Sequence, residues 1–213
     1  MASPLEKARK DPDSMKAKIL VVARRIFGEY GFHGTTTRMI AREAGIDIST
    51  LHYHWGDKAD LYEGVILDIT DDLKRKLIEV EKVIHGLPLA RRMEIAIDMV
   101  TDYLFACPEI SNIILFRYFG KTRHEATVDI HVPEFISDIA RSMHLSRTSK
   151  NVPIPAKMKV LAMMNAIHNF ISGEDFFRPM LKLKRKAYIS MVKETLKFML
   201  IPAFSSNTGQ TGR

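Results

Sequence analysis

An all-α protein of about nine helices is what this sequence predicts, on three observations. Apolar residues recur three and four apart through nearly every long segment. Glycine and proline fall between those segments, where helices stop, and seldom inside them. No stretch alternates apolar and polar residues in the manner of a half-buried strand.

Taken in order, residues 1–13 are polar, with Lys7, Arg9 and Lys10, and read as a flexible arm. Ser14 caps a first helix in which Ile19, Ala23, Ile26, Phe27 and Tyr30 share one side, and Gly31 ends it. Two short helices follow, joined by a tight turn at Gly45. Asp57 then caps a long helix from Lys58 to about His85, carried by Leu61, Val65, Ile69, Leu73, Leu77, Val80 and Ile84. Gly86 and Pro88 stop it. Further helices are expected over 89–106, 109–119, 133–145, 155–177 and 183–201, with polar, less regular chain between them at 120–132 and 146–155. The last nine residues, SSNTGQTGR, lack the apolar content to fold. This gives a head at 14–60, a helical body at 61–204, and flexible tails at 1–13 and 205–213.

The 213 residues suffice for one or two domains with a true core. Cys107 is the sole cysteine, which excludes an intrachain disulfide and a cysteine metal cage and suits a reducing compartment. It sits in an apolar stretch and reads as a small buried hydrophobe. No apolar run is long enough for a bilayer span and the N-terminus is polar, so a cytoplasmic protein without membrane association is expected. The net charge of +7 is uneven: residues 1–60 contribute +2, residues 61–144 contribute −4 and residues 145–213 contribute +9. Bulk positive charge therefore does not single out the head.

Enzymatic patterns are absent. His124, Glu125, Asp129 and His131 are the one local group of metal-ligating residue types, but their spacing lacks a third close ligand and reads as a solvated loop or helix end. Neither a phosphate-cradling glycine loop nor a nucleophile elbow occurs. No catalytic residue, metal or cofactor is expected. The run Lys182, Lys184, Arg185, Lys186 reads as the charged start of the last helix.

The most informative segment is Thr36 to Lys58, TTRMIAREAGIDISTLHYHWGDK. Met39, Ile40, Ala41 and Ala44 give its first helix an apolar side, and Gly45 follows where a residue tolerant of positive φ ends a helix. Asp47 or Ser49 caps the second, Ile48 to Trp55, in which Leu51 and Trp55 alone clearly point inward. Ser49, Thr50, His52, Tyr53 and His54 leave that short helix polar at its start and along one side, a form suited to a major groove.

These residues resemble the DNA-binding end of the TetR family of bacterial transcriptional regulators. Thr36, Thr37, Ile40, Ala41, Ala44, Gly45, Ile46, Leu51, His54, Lys58 and Leu61 match the family pattern. His52 stands where the family usually has Tyr, and Trp55 where it usually has Phe. The resemblance implies a three-helix head on a helical body, acting as a repressor that a small, apolar or amphipathic effector releases from palindromic double-stranded operator DNA. It assigns Thr36 to cap its helix and, with Thr37, to bond phosphate. Arg38 is assigned to guanine, Ile48, Ser49, Thr50 and Tyr53 to the groove, and His52, His54 and Lys58 to phosphate. It further implies a homodimer through the last two long helices, with Ala162, Ala166, Asn169, Gly173, Ile189, Val192, Leu196 and Met199 as interface candidates. An effector pocket is implied in the body, with Met99, Tyr103, Phe116, Phe119, Met164, Asn165 and His168 as candidate lining. The competing reading is a dimeric helical ligand carrier or enzyme with a vestigial head.

Overall fold

A computed structural model of the chain describes residues 3–119, 132–143, 145 and 151–205. Among them the chain forms eleven helices and no strand: α1 (Pro4–Lys10), α2 (Met15–Gly34), α3 (Thr37–Ala44), α4 (Ile48–Trp55), α5 (Lys58–Ile84), α6 (Leu89–Ala106), α7 (Pro108–Phe119), α8 (Val132–Ser142), α9 (Ile154–Ser172), α10 (Glu174–Met180) and α11 (Arg185–Ser205). No single helix among these residues is long and apolar enough to cross a membrane. The chain divides into two compact units, and the division falls inside α5, between Lys74 and Arg75. The first unit also takes in α7 from Glu109, so it is larger than the head of 14–60 expected above.

In the first unit, α1 stands where a flexible arm was expected. Ser3 and Glu6 cap it reciprocally, the Glu6 amide donating to Ser3 Oγ at 3.1 Å and the Ser3 amide to Glu6 Oε2 at 2.7 Å. Leu5 and Ala8 bury themselves, and Arg9 donates to Asp68 Oδ1 at 3.0 Å and Asp71 Oδ2 at 2.6 Å on α5. The arm folds because apolar burial and distant carboxylates hold it, neither of which its own polar composition advertises.

Helix α2 breaks at Gly31, whose φ of +67° suits glycine alone at no cost, and a last turn then leads to Thr35. Buried Thr35 donates its hydroxyl to Gly31 O at 2.7 Å, closing that turn. The Phe116 ring of α7 lies 3.3 Å from where a Cβ on Gly31 would sit. Arg24 of α2 binds Asp68 at 2.7 Å, Asp72 at 2.6 Å and Glu109 at 3.2 Å, tying α2 to α5 and α7. Burial opposes the Arg24 charge, but the bonds to Asp72 and Asp68 outweigh it and leave the guanidinium more basic than usual.

In the second unit, Ile136, Ala140, Val152, Ala156 and Val160 form a buried cluster between α8 and α9. The α6–α11 seam carries ion pairs from Lys197 to Asp98 at 2.7 Å and Lys193 to Asp102 at 2.5 Å. The helix expected over 155–177 is two helices. Gly173 interrupts it, donating its N–H to Asn169 O at 2.9 Å, while the Phe177 ring folds back over the space a side chain at 173 would occupy. The cluster His124, Glu125, Asp129 and His131, and the tail beyond Ser205, lie outside the described residues.

A candidate nucleic-acid interface

Helix α3 begins at Thr36, whose Oγ1 accepts the Met39 amide at 3.2 Å, and ends at Gly45 in the left-handed conformation, φ +68°. Asp47, not Ser49, caps α4: its Oδ1 accepts the Thr50 amide at 2.6 Å and the Ser49 hydroxyl at 2.7 Å. The Ser49 hydroxyl and then the Thr50 amide hold the Asp47 carboxyl below the usual carboxylate range. Leu51 and Trp55 are buried as α4's inward pair. Tyr53 is 84% exposed, Arg38, Thr36, Ser49 and His52 are exposed, and Thr37, Ile48, Thr50 and His54 are half-buried.

Trp55 explains how α4 is seated. Its indole Nε1–H donates to Lys16 O at 3.1 Å, a bond that Phe cannot make. The wider ring fits because position 64 on α5 is glycine; a Cβ there would lie 2.5 Å from Trp55 Cζ3.

The two histidines are locked in opposite states. His52 Nδ1 is 2.7 Å from Gly56 O, an acceptor, so Nδ1 carries the proton and the neutral ring shows Nε2 outward as an acceptor. His54 Nδ1 takes a bond from the Lys16 ammonium at 2.9 Å, so its proton is on Nε2. Burial and then the Lys16 charge depress the His54 pKa, which keeps this ring neutral. Neutral His54 thus offers a donor suited to phosphate, while neutral His52 does not. The Nε2–H of His54 therefore suits the phosphate role expected of it.

Lys58 is held by its own unit. Its Nζ donates to Phe32 O and Thr35 O, both at 3.0 Å, and lies 4.2 Å from the Phe32 ring centroid. Two of its three donors close the end of α2 and fix the α4–α5 turn. Lys16, which carries His54, was missed by sequence reasoning: it lies 38 residues away, and only the packing of α2 on α4 brings it there.

The effector candidates fall in both units. Phe116 lies on Gly31 in the first unit, and the Phe119 side chain falls outside the described residues. In the second unit Met99 is half-buried, Tyr103 sits 5.8 Å beneath the Lys76 ammonium, and Met164 packs on the α8–α9 cluster. Asn165 is exposed and donates to Leu161 O at 2.9 Å. His168 is buried, and that burial pushes its pKa down to about 4. Two cavities in the second unit have other walls. One, of about 180 Å³, lies among Phe170, Phe177, Tyr188 and Val192. A larger one, of about 500 Å³, is lined by Glu81, His85, Arg92, Arg141 and Ser142.

The interface candidates also sort by exposure. Val192 and Leu196 are buried in their own unit, Ile189, Ala166 and Gly173 are half-buried, and Ala162, Asn169 and Met199 are exposed. The open apolar side of α11 runs instead through Met191 and Phe198, the latter 80% exposed. Beside it α9 shows Met158, Ala162, Asn165 and Asn169 at successive turns, and α10 shows Phe176 and Met180.

Comparison with known proteins agrees with the geometry. Residues 19–65 match the profile described as bacterial regulatory proteins, tetR family. An HTH-type transcriptional regulator of Staphylococcus aureus is 26% identical over 136 residues, 61% of this chain and 72% of that protein. A tetR family transcription regulator from Shewanella sp. PV-4 has the same fold, with a TM-score of 0.60 at 20% identity over 86% of this chain and 96% of that one. AibR, solved in complex with isovaleryl coenzyme A and operator DNA, superposes with a TM-score of 0.66 at 14% identity, over 89% of this chain and 99% of that one.

Proposed function

The chain belongs to the TetR family of bacterial regulatory proteins, and from that premise we propose that it is a cytoplasmic transcriptional repressor. In this reading it holds a palindromic operator as a homodimer and leaves it when a small apolar or amphipathic molecule binds the second unit. Its role is regulatory, not catalytic.

One observation carries the reading: α4 buries Leu51 and Trp55 and turns every other side chain of its middle outward or to its flanks, with Tyr53 almost fully exposed. A soluble protein gains nothing from such a helix unless something covers it. The major groove admits a helix of this kind, and Tyr53, Ser49, Thr50 and Ile48 are the groove-facing set. Arg38 at the start of α3 supplies the bidentate donor suited to guanine, and Thr36, Thr37 and His54 the phosphate donors.

The open apolar side of α9, α10 and α11 supports the dimer, because two such helix pairs bury one another as a four-helix bundle. Two heads then meet successive turns of one groove face. Release by an effector rests on AibR, whose structure holds both isovaleryl coenzyme A and operator DNA. It requires an effector that binds the state unable to hold DNA more tightly than the state that holds it.

The test is fluorescence anisotropy on duplex DNA from the region upstream of the protein's own gene. Tyr53→Ala with Arg38→Ala should lower affinity by about a hundredfold, at ~1–3 kcal/mol per lost base contact. Unchanged affinity sinks the DNA reading. A Phe198→Glu variant running as a monomer by light scattering supports the interface, and one that remains a dimer places it elsewhere.

A further inference from the structure

The larger cavity of the second unit, about 500 Å³, is built from three helix ends. Glu81, His85, Gly86 and Leu87 come from the end of α5 and the turn after it, Arg92 from the first turn of α6, and Arg141 and Ser142 from the end of α8. Its volume lies within the range of small-molecule sites, about 300–1,000 Å³.

Arg92 is the buried member of that lining, its side chain 9% exposed. A guanidinium so deeply placed needs charged and polar partners to offset its lost hydration. Its Nη2 donates to Glu81 Oε1 at 3.1 Å, to Glu81 Oε2 at 3.3 Å and to Ser142 Oγ at 3.1 Å, and the Ser142 hydroxyl donates to Glu81 Oε2 at 2.5 Å. These side chains close a ring with one member from each helix. Both Glu81 oxygens are engaged within it, so the carboxylate spends its charge on Arg92.

What remains sets the sign of the cavity. Among the described residues Glu81 alone brings a carboxylate to the lining, against Arg92, Arg141 and His85. Arg141 pairs with Asp138 one turn back on α8, but both side chains reach water, where an ion pair holds weakly. An entering anion competes with that pair readily. A guanidinium presents paired N–H donors that match two oxygens of a carboxylate or phosphate, and His85 adds a ring nitrogen to the same lining. A cation would meet two guanidinium groups and a carboxylate already engaged.

We propose that this cavity binds a small oxyanion, the carboxylate or phosphate group of a compact metabolite, held by Arg141 and His85 in the field of Arg92. Its regulatory meaning rests on the effector reading above, which it narrows from apolar or amphipathic molecules to those with an anionic end.

The experiment titrates the full chain by isothermal calorimetry with four probes that share a phenyl ring: benzoate, phenyl phosphate, benzyl alcohol and benzylamine. One of the two anions should bind about tenfold more tightly than the alcohol and the amine, and which one does so identifies the oxyanion. Arg141→Gln should weaken that anion by about tenfold and His85→Ala by about threefold. Arg91→Gln, which removes an exposed arginine of α6 that pairs with Glu94 outside the lining, should leave affinity unchanged. Equal binding of the alcohol or the amine, no binding of either anion, full affinity in Arg141→Gln, or an equal loss in Arg91→Gln overturns the site. DNA release is read separately by anisotropy with the same anion. An anion that binds through Arg141 yet leaves DNA in place keeps the site and cuts it from the effector reading. One that releases DNA equally from wild type and Arg141→Gln keeps the effector reading and overturns the site.

Discussion

Trp55 and Gly64 should behave as one unit, and a double-mutant cycle measures how strongly. Trp55→Phe installs the aromatic usual for the family and removes three things. The bond from Nε1 to Lys16 O, 3.1 Å in the structure, is lost at about 1 kcal/mol. Roughly 40 Å² of buried apolar ring edge disappears, worth about 1 kcal/mol. The void left is about 35 Å³, which costs about 1 kcal/mol more. The single variant should therefore lose about 2–3 kcal/mol. Gly64→Ala alone drives a methyl to 2.5 Å from Cζ3; overpacking of about 1–3 kcal/mol is set against a helix-propensity gain of about 1 kcal/mol. In the double variant the new methyl enters the void that the indole edge vacated. The strain vanishes, the propensity gain stays, and the total loss should fall to about 1 kcal/mol. The coupling energy is thus about 2 kcal/mol in the favourable direction. Urea denaturation at fixed protein concentration reads all four corners of the cycle. Additivity within about 0.5 kcal/mol would refute the packing described for α4 and α5.

Two further outcomes follow from buried charge. Arg24→Met removes the guanidinium that Asp68, Asp72 and Glu109 share, so the protein should lose about 3 kcal/mol; a loss under about 1 kcal/mol contradicts the hub. His168, buried and held near pKa 4 against an ordinary value of 6.5, stays neutral in the folded state while the unfolded chain takes up a proton. Its contribution is intact above pH 6.5 and is lost as pH falls toward 4, by about 3 kcal/mol at most on the scale of 1.4 kcal/mol per unit. His168→Gln should flatten that part of the stability–pH curve, and an unaltered curve in the variant means the ring is not the titrating group.

The head was legible because its signals are local. Thr36 caps, Gly45 turns, and the inward pair Leu51 and Trp55 lies one turn apart, so α3 and α4 follow from neighbours in the chain. What stayed hidden depends on residues far along it. Nothing near Leu5 reveals that α1 is stapled by Asp68 and Asp71, some 60 residues on. Lys58 near a turn suits phosphate or a carbonyl cap equally well in one dimension, and only the approach of Phe32 and Thr35 decides. On α11 the helical period shows that apolar stripes exist but not which one faces home. Val192 and Leu196 take the inner stripe, Met191 and Phe198 the outer. The break at Gly173 hid inside an apolar run that reads as continuous helix.

His52 and His54 stand two residues apart, and neither chooses what it shows to a partner. A carbonyl at Gly56 makes one an acceptor, and an ammonium at Lys16 makes the other a donor. The vocabulary of the reading helix is therefore edited from outside it. Replacing Lys16 with a residue that accepts, such as Glu, would flip the His54 ring chemistry with the sequence HYHW untouched. Two regulators with the same α4 can then prefer different operators, and identical reading helices are a poor guide to shared targets.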